Sequence, residues 1–202
     1  MYNQIMFSLL AIVHSRGMKK RAEIARGEFS MSTKNLVLMA MLIGVGTALY
    51  LFMPPINGMK PDFMLTMMFI GILLFTTLRD TFLLSLTTGV LSGLFTTFPA
   101  GFVPNMIDKL VTGLLFFVAV VALRKVARGV AAGTILTAIG TAVSGAIFLA
   151  AAIFVTGFEG LFTEMFIIVV LPAMAINAIA FFIIFPIITN LVKRSKFETA
   201  LN

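Results

Sequence analysis

Six polar residues stand where apolar sequence surrounds them: Lys60, Asp62, Asn105, Asp108, Lys109 and Asn177. Two are acids, two are bases and two are amides. A carboxylate holds an ammonium and a lysine holds a carboxylate, so this set suits a zwitterion. Asn105, Asp108 and Thr112 follow at i, i+3 and i+7, which on a helix is one face. A blander account exists for each. Asp62, after Pro61, is favoured by the dipole at a helix N-terminus, and so is Asp108. Lys60 and Lys109 would snorkel to headgroups. Asn177 would form an interhelical hydrogen bond. The depth of Asp108 favours a functional role there; the bland account is ahead for Asp62, and the two weigh equally for Asn177. Phe63, Met64, Met67, Met68, Phe98, Phe102 and Met106 lie close by in sequence and are candidates to receive a flat apolar body. Against that, a chain with 21 Phe and 14 Met must turn most of them to lipid or to neighbouring helices.

The elements that position these residues must be membrane helices. The 202 residues are 60% hydrophobic and 11% charged, with a mean hydropathy of +1.09. A soluble domain carries roughly a quarter charged residues. Six apolar segments run near 36–53, 63–78, 82–98, 106–123, 130–155 and 166–191. Each approaches the ~20 residues that cross ~30 Å of hydrocarbon. The fold class is therefore all-α, a polytopic six-transmembrane-helix bundle. Arg79, Asp80 and Thr81 alone separate the second segment from the third. Pro61 and Pro104 fit first turns of helices two and four, and Pro172 and Pro186 predict kinks in helix six.

Thirteen of the fifteen Lys and Arg fall on one side if the N-terminus is cytoplasmic, leaving Lys60 and Lys109 on the other. Both termini are then expected in the cytoplasm of the cell membrane. On this topology Lys60, Asp62, Asn105, Asp108 and Lys109, with Glu159 and Glu164, ring the outer end of the bundle, and Asn177 lies mid-span in helix six. The net charge of +7 fits anionic headgroups, so no nucleic-acid partner is expected.

Residues 1–30 carry a short apolar run followed by five basic residues, the reverse of a signal peptide. Met31 reads as a second start. The expected organisation is an extension over 1–30 (a mis-called start or an interfacial segment), a membrane domain over 31–196 and a tail over 197–202. Small residues recur every four positions at Ala40, Gly44 and Ala48, and again at Gly133, Thr137, Thr141 and Gly145. Such stripes let helices approach closely. Internal packing suffices for the second stripe, and the first also suits a partner interface. An enzyme is not expected. The single histidine, His14, lies outside the bundle, cysteine is absent and there is no P-loop. No cofactor or metal is implied.

Three stretches carry a family resemblance: residues 31–49, the run Gly58-Met59-Lys60-Pro61-Asp62 continuing to Met68, and Thr96-Thr97-Phe98-Pro99-Ala100-Gly101 followed by 104–109. They resemble the bacterial tryptophan transporter family, which is similar in turn to the substrate-binding S components of energy-coupling factor (ECF) transporters. The resemblance covers about 31–195. It implies an S-component bundle with a pocket near the outer face. It also implies a helix-one face that meets an ECF transmembrane coupling subunit, with ATPases on other chains. The expected function is tryptophan uptake. The alternatives are uptake of a vitamin or another aromatic amino acid, or a membrane scaffold that binds no small molecule.

Overall fold

The computed structural model describes residues 33–54, 60–123, 129–195 and Thr199. The expected extension over 1–30 and most of the C-terminal tail lie outside the described residues. The chain divides into Met1–Leu36 and Val37–Asn202, and every residue of the site below belongs to the second unit.

All described elements are helical. They are α1 (Thr33–Phe52), α2 (Phe63–Phe75), α3 (Leu78–Phe95), α4 (Phe102–Ala122), α5 (Val130–Thr156) and α6 (Phe162–Arg194). Helices α1, α4, α5 and α6 are long and apolar enough to cross a membrane. Their apolar residues face outward in number; Met41, Val118, Ile135 and Ile183 are all more than half exposed. Lipid is the solvent that tolerates such a surface. The chain is a multi-pass membrane protein.

The bundle is built around α2. Helices α3, α4, α5 and α6 pack each on the next and all touch α2. Gly46 of α1 lies so close to Met64 and Met67 of α2 that an added Cβ would fall within 3.1 Å of both. Every one of the thirteen residues of α2 is buried. At 1.5 Å per residue α2 is only about 20 Å long. It is a core element that its neighbours enclose.

The caps of α2 explain its bounds. Asp62 is the N-cap, its Oδ1 accepting from the Leu65 N–H at 3.0 Å. Thr76 ends the helix in the left-handed region (φ 44°), and its hydroxyl donates to the carbonyls of Ile72 and Leu73. Thr77 then caps α3, accepting from Asp80 N–H at 3.1 Å. This corrects the expectation that Arg79, Asp80 and Thr81 form the break. The turn is the threonine pair, and the three polar residues lie in the opening turns of α3. An acid there is stabilised by the unpaired N–H groups of the helix start.

The fourth helix likewise begins at Phe102, four residues before its expected start. Pro104 falls in its first turn as expected, where a missing N–H costs nothing, whereas Pro61 lies just outside α2, before its cap. Closure of α3 on α4 relies on glycines the sequence reading did not single out. An added Cβ at Gly89 would meet Met106, at Gly93 Phe102, and at Gly113 Ser85. Of the α5 stripe, Gly133, Thr137 and Thr141 are buried, and Gly145 packs against Val170. In α6 the backbone opens to a π-helical stretch, Phe166–Val170, directly before Leu171 and Pro172. A wider turn there accommodates a proline that cannot donate and whose ring crowds the preceding carbonyls.

Candidate functional site

One cavity of about 120 Å³ opens among the ends of the helices where α2, α4 and α6 begin and α1, α3 and α5 finish. All six polar residues singled out in the sequence line it: Lys60, Asp62, Asn105, Asp108, Lys109 and Asn177.

Its charged centre is a three-residue cluster. Lys109 Nζ lies 2.7 Å from Asp62 Oδ2 and also donates to Asp108 Oδ2. Ser144 of α5 donates to the same Asp108 oxygen at 2.8 Å, and Thr112 donates to Asp108 Oδ1 at 2.8 Å. Asp108 and Lys109 are 1% and 2% exposed. Burial of charge at this depth is tolerated only with pairing and further hydrogen bonds. Asp108 has both, and both of its neighbours on the Asn105–Asp108–Thr112 face are buried with it. The cluster ties α2, α4 and α5 together. Two carboxylates surround one ammonium, so one acid is in excess.

Lys60 stands apart. Its Nζ donates to the Leu51 carbonyl at 3.4 Å and lies 5.3 Å from the centre of the Tyr50 ring. That distance is within cation–π range. Among the described residues no carboxylate is within ion-pair distance of it. Asn105 donates through Nδ2 to the Gly101 carbonyl at 2.8 Å, which fixes the entry to α4. Asn177 donates to Thr141 Oγ1 at 3.4 Å.

Tyr50, Ser92, Thr96, Thr97, Thr141 and Ser144 add hydroxyl groups to the lining, and the rest of the wall is apolar. It comprises Leu65, Phe98, Gly145, Phe148, Leu149, Val169, Val170 and Ala173. Phe98 meets Phe148 edge-on at 5.2 Å between centroids. The π-helical stretch thus supplies part of the lining. Of the seven Phe and Met candidates, Phe98 alone lines the cavity. Phe63, Met64, Met67 and Met68 are buried in the α2 core, and Phe102 is partly exposed on α4. Their side chains are spent on packing. Glu159 and Glu164 are exposed between the end of α5 and the first turn of α6, at the cavity end of the bundle but outside the cavity lining.

The sequence reading missed Tyr50, Ser92, Thr96, Thr97 and Ser144 as lining residues. Ser144 lies one turn beyond Thr141 on α5 but outside the stripe of Gly133, Thr137, Thr141 and Gly145.

Comparison with known proteins bears on what such a cavity serves. A family profile described as Tryptophan transporter TrpP matches residues 32–193. The chain belongs to the tryptophan transporter TrpP family. A probable tryptophan transport protein of Bacillus subtilis is 46% identical over 171 residues, covering 84% of this chain and 99% of the relative. Namesakes in Clostridium acetobutylicum and Clostridium perfringens are 42% and 31% identical over 160 and 179 residues. These cover 77% and 82% of this chain, and 91% and 96% of the relatives. No solved structure matches significantly. The TrpP relatives are named for transport, which agrees with the reading that the chain is not an enzyme. The segments that carried the resemblance, 58–68, 96–101 and 104–109, contain five of the six polar candidates that line the cavity.

Proposed function

We propose that this protein takes up tryptophan, binding the amino acid in the cavity between α2, α4, α5 and α6. The observation that carries this reading is the buried Asp62–Lys109–Asp108 cluster beside an apolar wall. Lys109 is engaged by both acids, so its ammonium is committed within the protein. The acid excess is left to hold the ammonium of the ligand, and Lys60 is left to hold its carboxylate. The indole then lies against Phe98, Phe148, Leu149, Val170 and Ala173. Asn105 and Asn177 complete the polar contacts.

The mouth opens to the outside and both termini are cytoplasmic, as the Lys and Arg distribution favours. Energy comes from a separate ECF coupling subunit with its ATPases. The resemblance to S components supports this, as does the surface of α1. Ala40, Gly44 and Ala48 are exposed along one stripe, and nothing lies within 4 Å of a Cβ built on Gly44.

Equilibrium binding of tritiated tryptophan to the purified full-length protein tests the ligand, with tyrosine, phenylalanine and thiamine as competitors. Saturable binding displaced by indole analogues and by none of these three is the expected result. Absence of binding in folded protein would sink the reading. Uptake into proteoliposomes with and without an ECF module tests the coupling.

A further inference from the structure

Among the fully buried side-chain polar atoms of the described residues that line the cavity, one has no hydrogen-bond partner. Asp62, Asp108 and Lys109 satisfy one another, Ser144 and Thr112 donate to Asp108, and Asn105 donates to Gly101. Asn177 uses its Nδ2 on Thr141, but its Oδ1 is buried without a donor. The other described hydroxyls without a partner, such as Thr66, Thr81, Ser85 and Thr88, do not line the cavity. Asn177 itself is 0% exposed. A buried amide oxygen left unpaired is costly, so an acceptor kept in this state beside a cavity calls for a donor from what enters it.

The location indicates which donor. Thr141 precedes Ser144 by three residues on α5, about 4.5 Å farther from the cavity end of that helix. Asn177 therefore lies one turn beyond the level at which Ser144 meets Asp108. The apolar lining residues nearest to it along the two helices are Gly145, one turn from Thr141, and Ala173, one turn from Asn177. An ammonium is better held by the acid excess nearer the mouth. A single N–H on an otherwise apolar ring matches the deeper level.

We propose that Asn177 Oδ1 accepts the ring N–H of the ligand, which makes Asn177 the residue that selects an indole over rings of the same shape that lack the donor. This rests on the tryptophan reading. A site built to take a hydrogen bond rejects an analogue lacking the donor far more strongly than a site built only on shape.

The test is competition binding on the full-length protein with 3-benzothienylalanine, in which sulfur replaces the ring N–H, and with 1-methyltryptophan. Wild-type protein should bind benzothienylalanine about 10- to 100-fold more weakly than tryptophan. In Asn177→Leu that gap should shrink to within about threefold, through loss of tryptophan affinity. Asn177→Asp, which retains an acceptor, should retain the preference and serves if the leucine variant fails to fold. Equal binding of tryptophan and benzothienylalanine by wild-type protein would overturn the inference and leave the tryptophan reading standing. An undiminished preference in folded Asn177→Leu would overturn the assignment to this residue. No tryptophan binding at all would overturn both.

Discussion

Lys109, in the second turn of α4, and Asp62, the cap of α2, meet with 2.7 Å between Nζ and Oδ2. The same carboxylate therefore serves two structures. Its Oδ1 closes the first turn of the central helix and its Oδ2 pairs with the buried ammonium. Cap and charge can be separated by substitution. Asn caps a helix nearly as well as Asp, whereas Ala does not cap. Asp62→Asn should keep α2 capped and lose ligand affinity, while Asp62→Ala should cost a further ~1 kcal/mol of stability. Thermal unfolding in detergent measured beside tryptophan binding checks this; equal melting of the two variants would contradict the capping role.

Removal of either neighbour at the centre should be harsher. Asp108→Ala takes away the acceptor of Thr112 and Ser144, and Lys109→Ala leaves the buried Asp108 carboxylate beside that of half-buried Asp62 with no cation between them. Breaking a buried pair by deleting one partner costs on the order of 3–5 kcal/mol. Both variants should melt well below wild type and lose tryptophan binding by at least ~10-fold, a loss that 1.4 kcal/mol already produces. Unchanged affinity in either would refute the binding assignment.

Lys60 is assigned to the ligand carboxylate, and tryptamine lacks that group. Lys60→Gln should weaken tryptophan binding by about 10- to 100-fold, the range of a hydrogen bond to a charged group. Tryptamine binding should be unaffected. Isothermal titration with both ligands decides the matter, since a headgroup-snorkelling lysine would leave both affinities unchanged.

Two glycines should behave oppositely. A Cβ on Gly113 would run into Ser85, so Gly113→Ala forces α3 and α4 apart at a cost of about 1–3 kcal/mol. Gly44 has open space around it, so Gly44→Leu should leave melting and tryptophan binding unchanged. If a coupling subunit docks on α1, that same variant should lose ECF-dependent uptake in proteoliposomes. Full uptake would remove α1 from the proposed interface.

The polar half of the site was legible because a charge or amide in an apolar run is costly and stands out by type alone. Asp108, Lys109 and Asn177 announce themselves in this way. Ser144 and Thr141 do not, because hydroxyls in helices commonly bond to their own backbone, as Thr134 and Thr156 do here. The apolar wall was misread for a related reason. Phe and Met occur throughout the chain, so proximity in sequence to Asp62 selected residues that α2 turns into the core. The long helices α1, α5 and α6 emerged from their apolar runs. The α2–α3 corner did not, since Thr76 and Thr77 look milder than the Arg79 and Asp80 that follow, and local capping outweighed charge.

The complete enclosure of α2 also constrains how the protein is made. A segment about 20 Å long is too short to rest stably across a bilayer by itself. With none of its residues reserved for lipid, it gains its packing partners only when α4, α5 and α6 exist. These three are synthesised after it. Helix α2, the second of the described helices to leave the ribosome, is therefore among the last to find its final neighbours. Until then the pair α2–α3, joined through two threonines, must wait at the translocon or in the bilayer as an unfinished hairpin.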